Sequence, residues 1–177
     1  MDPSSTNGHN VWHKDLPANQ YLALHSNGDA ATDSAMFPSG GAANTTFTIG
    51  SNLVDGMQVH AALFRSVEGY SHFGLWEADG TVPQTYHLGF RPAFVMLKCT
   101  NVNNTNWIVF DSSRETFNQI DYPLFANTSG SEPSSGWGID FLSNGFAWRS
   151  TSSEGYDGRK YIVCAWAETP SRFANAR

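Results

Sequence analysis

Charge is scarce in this chain. Charged residues make up 15% of it, where a soluble domain carries roughly a quarter. The surface must therefore be solvated by Ser, Thr, Asn and Gly, a mix common in extracellular β-proteins. Positive charge is scarcer still, with ten Lys and Arg against sixteen Asp and Glu and a net charge of −6. The cations are scattered and form no basic run. The phosphate-neutralising footprint of a nucleic-acid binder is thus missing, as is attraction to an anionic membrane surface. Cysteine is limited to Cys99 and Cys164, each inside an apolar run. That placement predicts two reduced core thiols rather than a disulfide framework. No apolar stretch is long enough to cross a membrane. Residues 1–6 show neither a basic n-region nor an apolar h-region, so no signal peptide is expected.

Helical periodicity is also lacking: no long window spaces apolar residues three and four apart among good helix formers. What the chain has is core material, 40% hydrophobic and 14% aromatic over 177 residues. That suits one domain or two small ones. Short runs of Val, Ile, Phe, Tyr, Trp and Thr alternate with Gly, Asn, Asp, Ser and Pro clusters, which predicts an all-β, antiparallel sandwich. Strands are predicted at 21–24, 45–49, 58–65, 73–76, 93–100, 106–110, 123–126, 139–142, 146–149 and 160–167. Residues 26–44 and 127–137 read as long polar loops, a type usually functional or mobile.

An internal repeat organises these strands. Asp55-Gly56-Met57-Gln58-Val59-His60-Ala61-Ala62-Leu63-Phe64 aligns with Asp157-Gly158-Arg159-Lys160-Tyr161-Ile162-Val163-Cys164-Ala165-Trp166. Each begins with the Asp-Gly turn signal and runs into an apolar strand ending on an aromatic. Upstream of each lies a Phe-bearing strand, at Phe47 and at Phe146. Further upstream Trp12, Tyr21 and Leu22 correspond to Trp107, Tyr122 and Leu124. After each closing strand comes Ser71-His72-Phe73 or Ser171-Arg172-Phe173. Residues 1–78 are therefore read as a partial first unit and 79–177 as a complete second one, packed as one sandwich body. The strand at 89–98 has no counterpart in the first unit. An incomplete sheet exposes backbone and an apolar seam, to be filled by another segment or by a neighbouring subunit.

The second unit carries Gly89-Phe90-Arg91-Pro92-Ala93-Phe94-Val95-Met96-Leu97-Lys98, Asn106-Trp107-Ile108-Val109-Phe110-Asp111-Ser112-Ser113-Arg114 and Ile139-Asp140-Phe141-Leu142-Ser143-Asn144-Gly145-Phe146. It ends on Ala167-Glu168-Thr169-Pro170-Ser171-Arg172-Phe173-Ala174-Asn175-Ala176-Arg177. With these motifs it resembles a family of bacteriophage tail-fibre and tail-tip structural proteins. The first unit is similar to the penultimate repeat of such fibres, through residues 46–50 and 67–74. The resemblance implies concanavalin-like (jelly-roll-like) sandwiches. It further implies a virion structural protein contributing to host-surface attachment, working as a homo-oligomer, in such fibres often a trimer, among other tail or capsid proteins. Its location would be the particle, released by lysis. A capsid decoration protein and a carbohydrate-binding module are the alternative readings.

The chemistry-bearing residues fit a non-enzymatic part. Six histidines form no Cys/His knuckle, and no helix is predicted to bring His9 and His13, the one pair four apart, onto a common face, so no metal or other cofactor is expected. The paired-carboxylate strand of a sandwich glucanase, the serine elbow and the phosphate loop are absent as motifs. Four residues remain as candidate glycan, receptor or subunit contacts. Asp111 and Arg114 end a strand and suit sugar hydroxyls, or else bracket a turn. Trp137 sits in a small-residue loop, and Trp76 is expected to be exposed; aromatic rings there would serve as stacking platforms. Trp137 reads equally as a plug in the sandwich end. Trp107, Trp148 and Trp166 are expected in the core.

Overall fold

The computed structural model describes residues 8–38, 46–53, 59–133, 136–150 and 157–169. Among them are eleven strands and a 3-10 turn at Ser51–Leu53. All strand pairs are antiparallel. The all-β sandwich expected from the short β-branched and aromatic runs is the fold observed.

The central layer is a five-stranded sheet of β4 (Ser71–Glu77), β11 (Lys160–Ala167), β6 (Pro92–Cys99), β7 (Trp107–Asp111) and β8 (Leu124–Phe125), in the order β4-β11-β6-β7-β8. Its inner face packs on a three-stranded sheet of β5 (Gln84–His87), β10 (Gly145–Trp148) and β9 (Ile139–Leu142). Side chains alternate across a strand. Val95, Leu97 and Cys99 of β6, Ile108 and Phe110 of β7, and Tyr161, Val163 and Ala165 of β11 thus share one core with Ile139, Phe141, Phe146 and Trp148. Close approach is built in at Gly145, where a Cβ would lie 2.0 Å from the Tyr86 carbonyl oxygen.

The outer face of the five-stranded sheet is apolar too, and the N-terminal part covers much of it. There β1 (Asn10–Val11), β2 (Gln20–Ala23) and β3 (Ala31–Thr32) form a small sheet in the order β1-β2-β3. Leu16 and Leu22 pack on Trp107 and Ile162, flanked by Val11, Leu24 and Met96. The Trp107 indole donates to the Ala23 carbonyl at 2.9 Å, and Ala30 N donates to the Thr100 carbonyl at 2.9 Å. Beneath this cover lies Lys98, fully buried, its Nζ donating to the Cys99 and Thr105 carbonyls and to Thr105 Oγ1.

Two expectations need correction. Residues 59–65 form no strand, and 46–49 carry only a single β-bridge residue, Phe47, although the composition of both runs is that of a strand; Gln58 and Thr45, the first residues of those runs, lie outside the described residues. The Asp55-Gly56 turn also lies outside them, whereas Asp157-Gly158 does turn, with Gly158 at φ +79° just before β11. The two units are not built alike among the described residues. The strand β4, on the first unit's side of residue 78, belongs to the second unit's sheet.

Cys99 faces the inner core and Cys164 the outer face of the same sheet, so the two thiols stand on opposite sides and both are free.

Candidate functional site

The sequence-predicted residues gather mostly at one end of the sandwich, where chain segments 112–123 and 126–138 leave and re-enter β7, β8 and β9. Asp111 closes the first turn: its Oδ1 accepts from Ser113 N at 2.7 Å, and its carbonyl accepts from Arg114 N and Glu115 N at 3.3 Å each. The Arg114 guanidinium does not reach back to the Asp111 carboxylate. It donates to the Tyr122 carbonyl at 3.2 Å and forms an ion pair with Glu132, tying the two segments together. Both residues therefore brace the turn, each with partners of its own.

Other acids and amides extend the brace. Glu115 Oε2 accepts from Asp121 N at 3.0 Å and Tyr122 N at 2.8 Å. Asp121 Oδ1 accepts from Gly136 N and Trp137 N at 3.1 Å. Asn118 lies along the free edge of β9 and imitates a neighbouring strand. Its Oδ1 accepts from Phe141 N at 2.9 Å, and its Nδ2 donates to the Phe141 carbonyl at 3.0 Å. An Ile120–Ile139 bridge continues that pairing.

Trp137 is half-buried, its ring edge-on to Phe125 at 5.2 Å and packed against the main core. It plugs the sandwich end. Trp76 corrects the expectation of exposure, being only 3% exposed at the centre of the core. Its ring lies 5.1 Å from Tyr161, 5.6 Å from Trp148 and 6.0 Å from Phe146. The cause is an inverted pattern in β4. His72 and Gly74, which read as solvent-facing, share the inner face with Trp76, while Phe73 and Leu75 face outward. Gly74 leaves room inside for a hydrogen bond between His72 Nε2 and the Tyr86 hydroxyl at 3.0 Å; a Cβ there would stand 2.6 Å from both atoms. Of the three tryptophans expected in the core, Trp107 and Trp148 are buried and Trp166 is half-buried on the outer face.

The most exposed aromatic at this end was not singled out by sequence reasoning. Phe117 is 84% exposed, with Tyr122 at 44% and Leu124 at 41%. The signal available was a bulky apolar residue between Thr116 and Asn118 in a polar turn. The arrangement is a braced loop whose charged groups are spent on backbone amides and carbonyls and on the Arg114–Glu132 ion pair, and whose apolar side chains project. Such a surface is chemically suited to apolar contact and ring stacking.

A second group of titratable residues lies where the N-terminal part meets β4 and β5. His13 is buried, with Nδ1 accepting from Asp15 N at 3.2 Å and Nε2 without a partner among the described residues. Burial lowers its pKa to about 4, and it lowers His72 as well. Tyr86 is pushed up to about 12, by burial first and then by the Asp15 charge. No group of three His, Cys, Asp or Glu among the described residues is placed to hold a metal ion. No helix among them is long and apolar enough to cross a membrane.

Fold and site together define an all-β sandwich presenting a braced apolar loop at one end. Residues 2–170 match a family described as a domain of unknown function (DUF7483), and the chain belongs to that family. No curated protein and no solved structure matches the chain.

Proposed function

We propose that this chain is a structural and adhesive component of a bacteriophage particle, in a tail fibre or tail tip, and not an enzyme. The observation that carries the reading is the loop at the β7–β9 end. Five polar side chains (Asp111, Arg114, Glu115, Asn118 and Asp121) hold its backbone, and Phe117 is left projecting. A surface part that meets a partner under load gains from such a loop, because binding then orders few new groups. The resemblance of the motifs between Gly89 and Arg177 to those of phage fibre proteins points the same way. In this reading the sandwich is of the concanavalin-like type, works as a homo-oligomer and contacts other virion proteins, with the Phe117 loop turned to the host surface glycan or receptor.

Cryo-electron microscopy of intact particles, with this sequence fitted to the density, is the test. Density for the chain at the tail, with the loop at residues 112–123 facing outward, is the expected result. Density on the capsid lattice would replace the tail assignment by capsid decoration. A chain found in no particle, yet retained on glycan arrays, would replace both by a carbohydrate-binding module.

A further inference from the structure

We infer that residues 8–38 and 46–53 form a hinged cover over the outer face of the five-stranded sheet, and that falling pH shifts this cover from closed towards open while the two-sheet body stays folded.

The cover holds together by itself. β1, β2 and β3 are a sheet of their own and share no ladder with the five-stranded sheet. Residues 46–53 are tied back to that small sheet's loops: Gly50 N donates to the Met36 carbonyl at 2.8 Å, and Asn52 N to the Ala35 carbonyl at 3.0 Å. Phe47 lies 6.1 Å from Trp12 and 5.9 Å from Phe37, and Phe37 lies 6.4 Å from Tyr21. The hold on the body is narrower. Leu16 and Leu22 rest on Trp107 and Ile162, a cluster separate from the main core. Polar ties include the Trp107 indole on the Ala23 carbonyl, Ala30 N on the Thr100 carbonyl and Thr105 N on the Asn27 carbonyl at 3.0 Å.

A tether permits the movement. The chain passes from cover to body through residues 59–63, all exposed, whose backbone has no hydrogen-bond partner among the described residues. The body end of the tether is fixed. Phe64 packs on Phe73 at 5.9 Å and on Trp166 at 5.8 Å, Ser71 Oγ donates to the Arg65 carbonyl at 2.9 Å, and Ser66 Oγ accepts from Phe73 N at 2.9 Å. Lifting the cover on this tether breaks no rung of β4 with β11. A few extended residues that absorb a rotation are the usual form of a hinge.

The acid sensor is His13, on the cover where it meets β4. Nδ1 accepts from Asp15 N at 3.2 Å, so the neutral ring carries its proton on Nε2, which is buried and has no partner among the described residues. A second proton must go to Nδ1. It breaks the bond from Asp15 N and leaves a charged ring out of water. The groups facing the ring offset little of this. The Asp15 carboxylate stands 3.7 Å from Nδ1 but already pairs with Lys14 at 2.6 Å. From β4 comes His72, whose Nε2 is hydrogen-bonded to the Tyr86 hydroxyl of β5 at 3.0 Å. Once the cover opens, the ring meets water and takes the proton freely. The closed-form pKa of about 4 against 6.5 sets the window, and within it each pH unit favours opening by up to about tenfold. Lys98, roofed by the same cover, acts in the same direction at higher pH. Burial lowers its pKa from 10.5 to about 8, so below that value it is charged in both forms and its support for closure is already lost at neutral pH.

Hydrogen exchange of the full chain followed by NMR tests this, with rates expressed as protection factors so that the intrinsic pH dependence cancels. Between about pH 7.5 and about pH 4.5, protection of the Ala30 and Thr105 amides and of the Trp107 indole should fall at least about tenfold, with the amides of β11 unchanged. His13→Gln keeps a neutral polar side chain and should hold those protections level across the range. Lys14→Gln, at an exposed side chain, frees Asp15 to pair with the charged ring and should reduce the fall at least about twofold. Near-UV circular dichroism at neutral pH confirms that each variant is folded, and Lys14→Gln carries the test if His13→Gln is not. Protection that stays level in the parent chain would overturn the inference. So would β11 losing protection together with the cover, or a fall undiminished in the folded variants.

Discussion

His13 shows how one buried side chain couples this fold to pH. Its ring is buried against the edge of the sandwich, and Nε2 has no acceptor among the described residues. Burial disfavours the charged form, so the folded-state pKa falls from 6.5 to about 4. Between those values the unfolded chain binds a proton that the folded chain refuses. Stability is therefore full above pH 6.5, falls as pH drops towards 4, and levels off below it. The loss from this residue is on the order of 2–3 kcal/mol. Urea midpoints measured from pH 4 to 7 should show that slope, and His13→Leu should flatten it. A slope unchanged in the variant would place the titration on another group.

The thiols give a second prediction at this scale. Cys99 is buried and Cys164 half-buried, with its pKa raised to about 12 by burial. A thiolate is the reactive form, so neither should react with a disulfide reagent in the native chain. Both should react once denaturant is added, and rapid native labelling of Cys164 would show the outer face to be open there. Lys98 is the residue the sequence hid most completely. Set within the strand predicted at 93–100, it carries no sequence signal of burial. In the fold it is roofed by the N-terminal sheet and satisfied by Cys99 and Thr105. Its pKa falls to about 8, because burial outweighs the raising effects of Cys99 and Asp29.

At the scale of elements, strand existence was legible wherever the sheet gives both faces apolar neighbours. The predicted strands at 139–142 and 160–167 are β9 and β11 with the same bounds. The expected strands at 73–76, 93–100 and 106–110 fall within a residue or two of β4, β6 and β7. Missed were β1 and β3, of two residues each, and β5, whose Gln84-Thr85-Tyr86-His87 is half exposed and polar. Composition carries little signal in such strands, because pairing with a neighbour rather than burial defines them. The over-prediction at 59–65 is the converse: β-propensity describes a residue that fits a pleated surface, and it cannot supply the neighbouring strand.

Edge protection was equally illegible, because Asn and Ser in turns read as turn residues. Asn118 binds both backbone groups of Phe141, with Arg91 also donating to that carbonyl. Asn118→Ala leaves the buried Phe141 N–H without its acceptor, a loss of about 1–3 kcal/mol. Equilibrium unfolding in urea should show that drop, with faster exchange of the Phe141 amide. An unchanged midpoint would mean that water replaces the side chain at little cost.

On the scale of the whole molecule, the large hydrophobic side chains exposed among the described residues gather in two stretches, 59–75 and 117–124, with Val82 apart. The N-terminal sheet roofs one part of the outer face, Phe64 caps another, and the far end carries the braced loop. Asp111 and Arg114 were found from sequence because they close a strand. The role of Arg114 in the brace was not, since its acceptors at Tyr122 and Glu132 lie eight and eighteen residues away. The tryptophans drew attention by size, and size is what buried Trp76. The large hydrophobic side chain that meets solvent most fully among the described residues is Phe117, and that gives the last prediction. Phe117→Ala removes a ring that is 84% exposed, so stability should stay within about 0.5 kcal/mol of the parent. Under the proposed function, adhesion should respond differently, because an exposed aromatic on a preorganised loop is the type of residue that dominates contact energy. The purified chain should compete with particles for host cells, and the variant should compete at least about tenfold less well. Equal competition by parent and variant would move the contact surface away from this loop, while leaving its role as the brace of the sandwich end untouched.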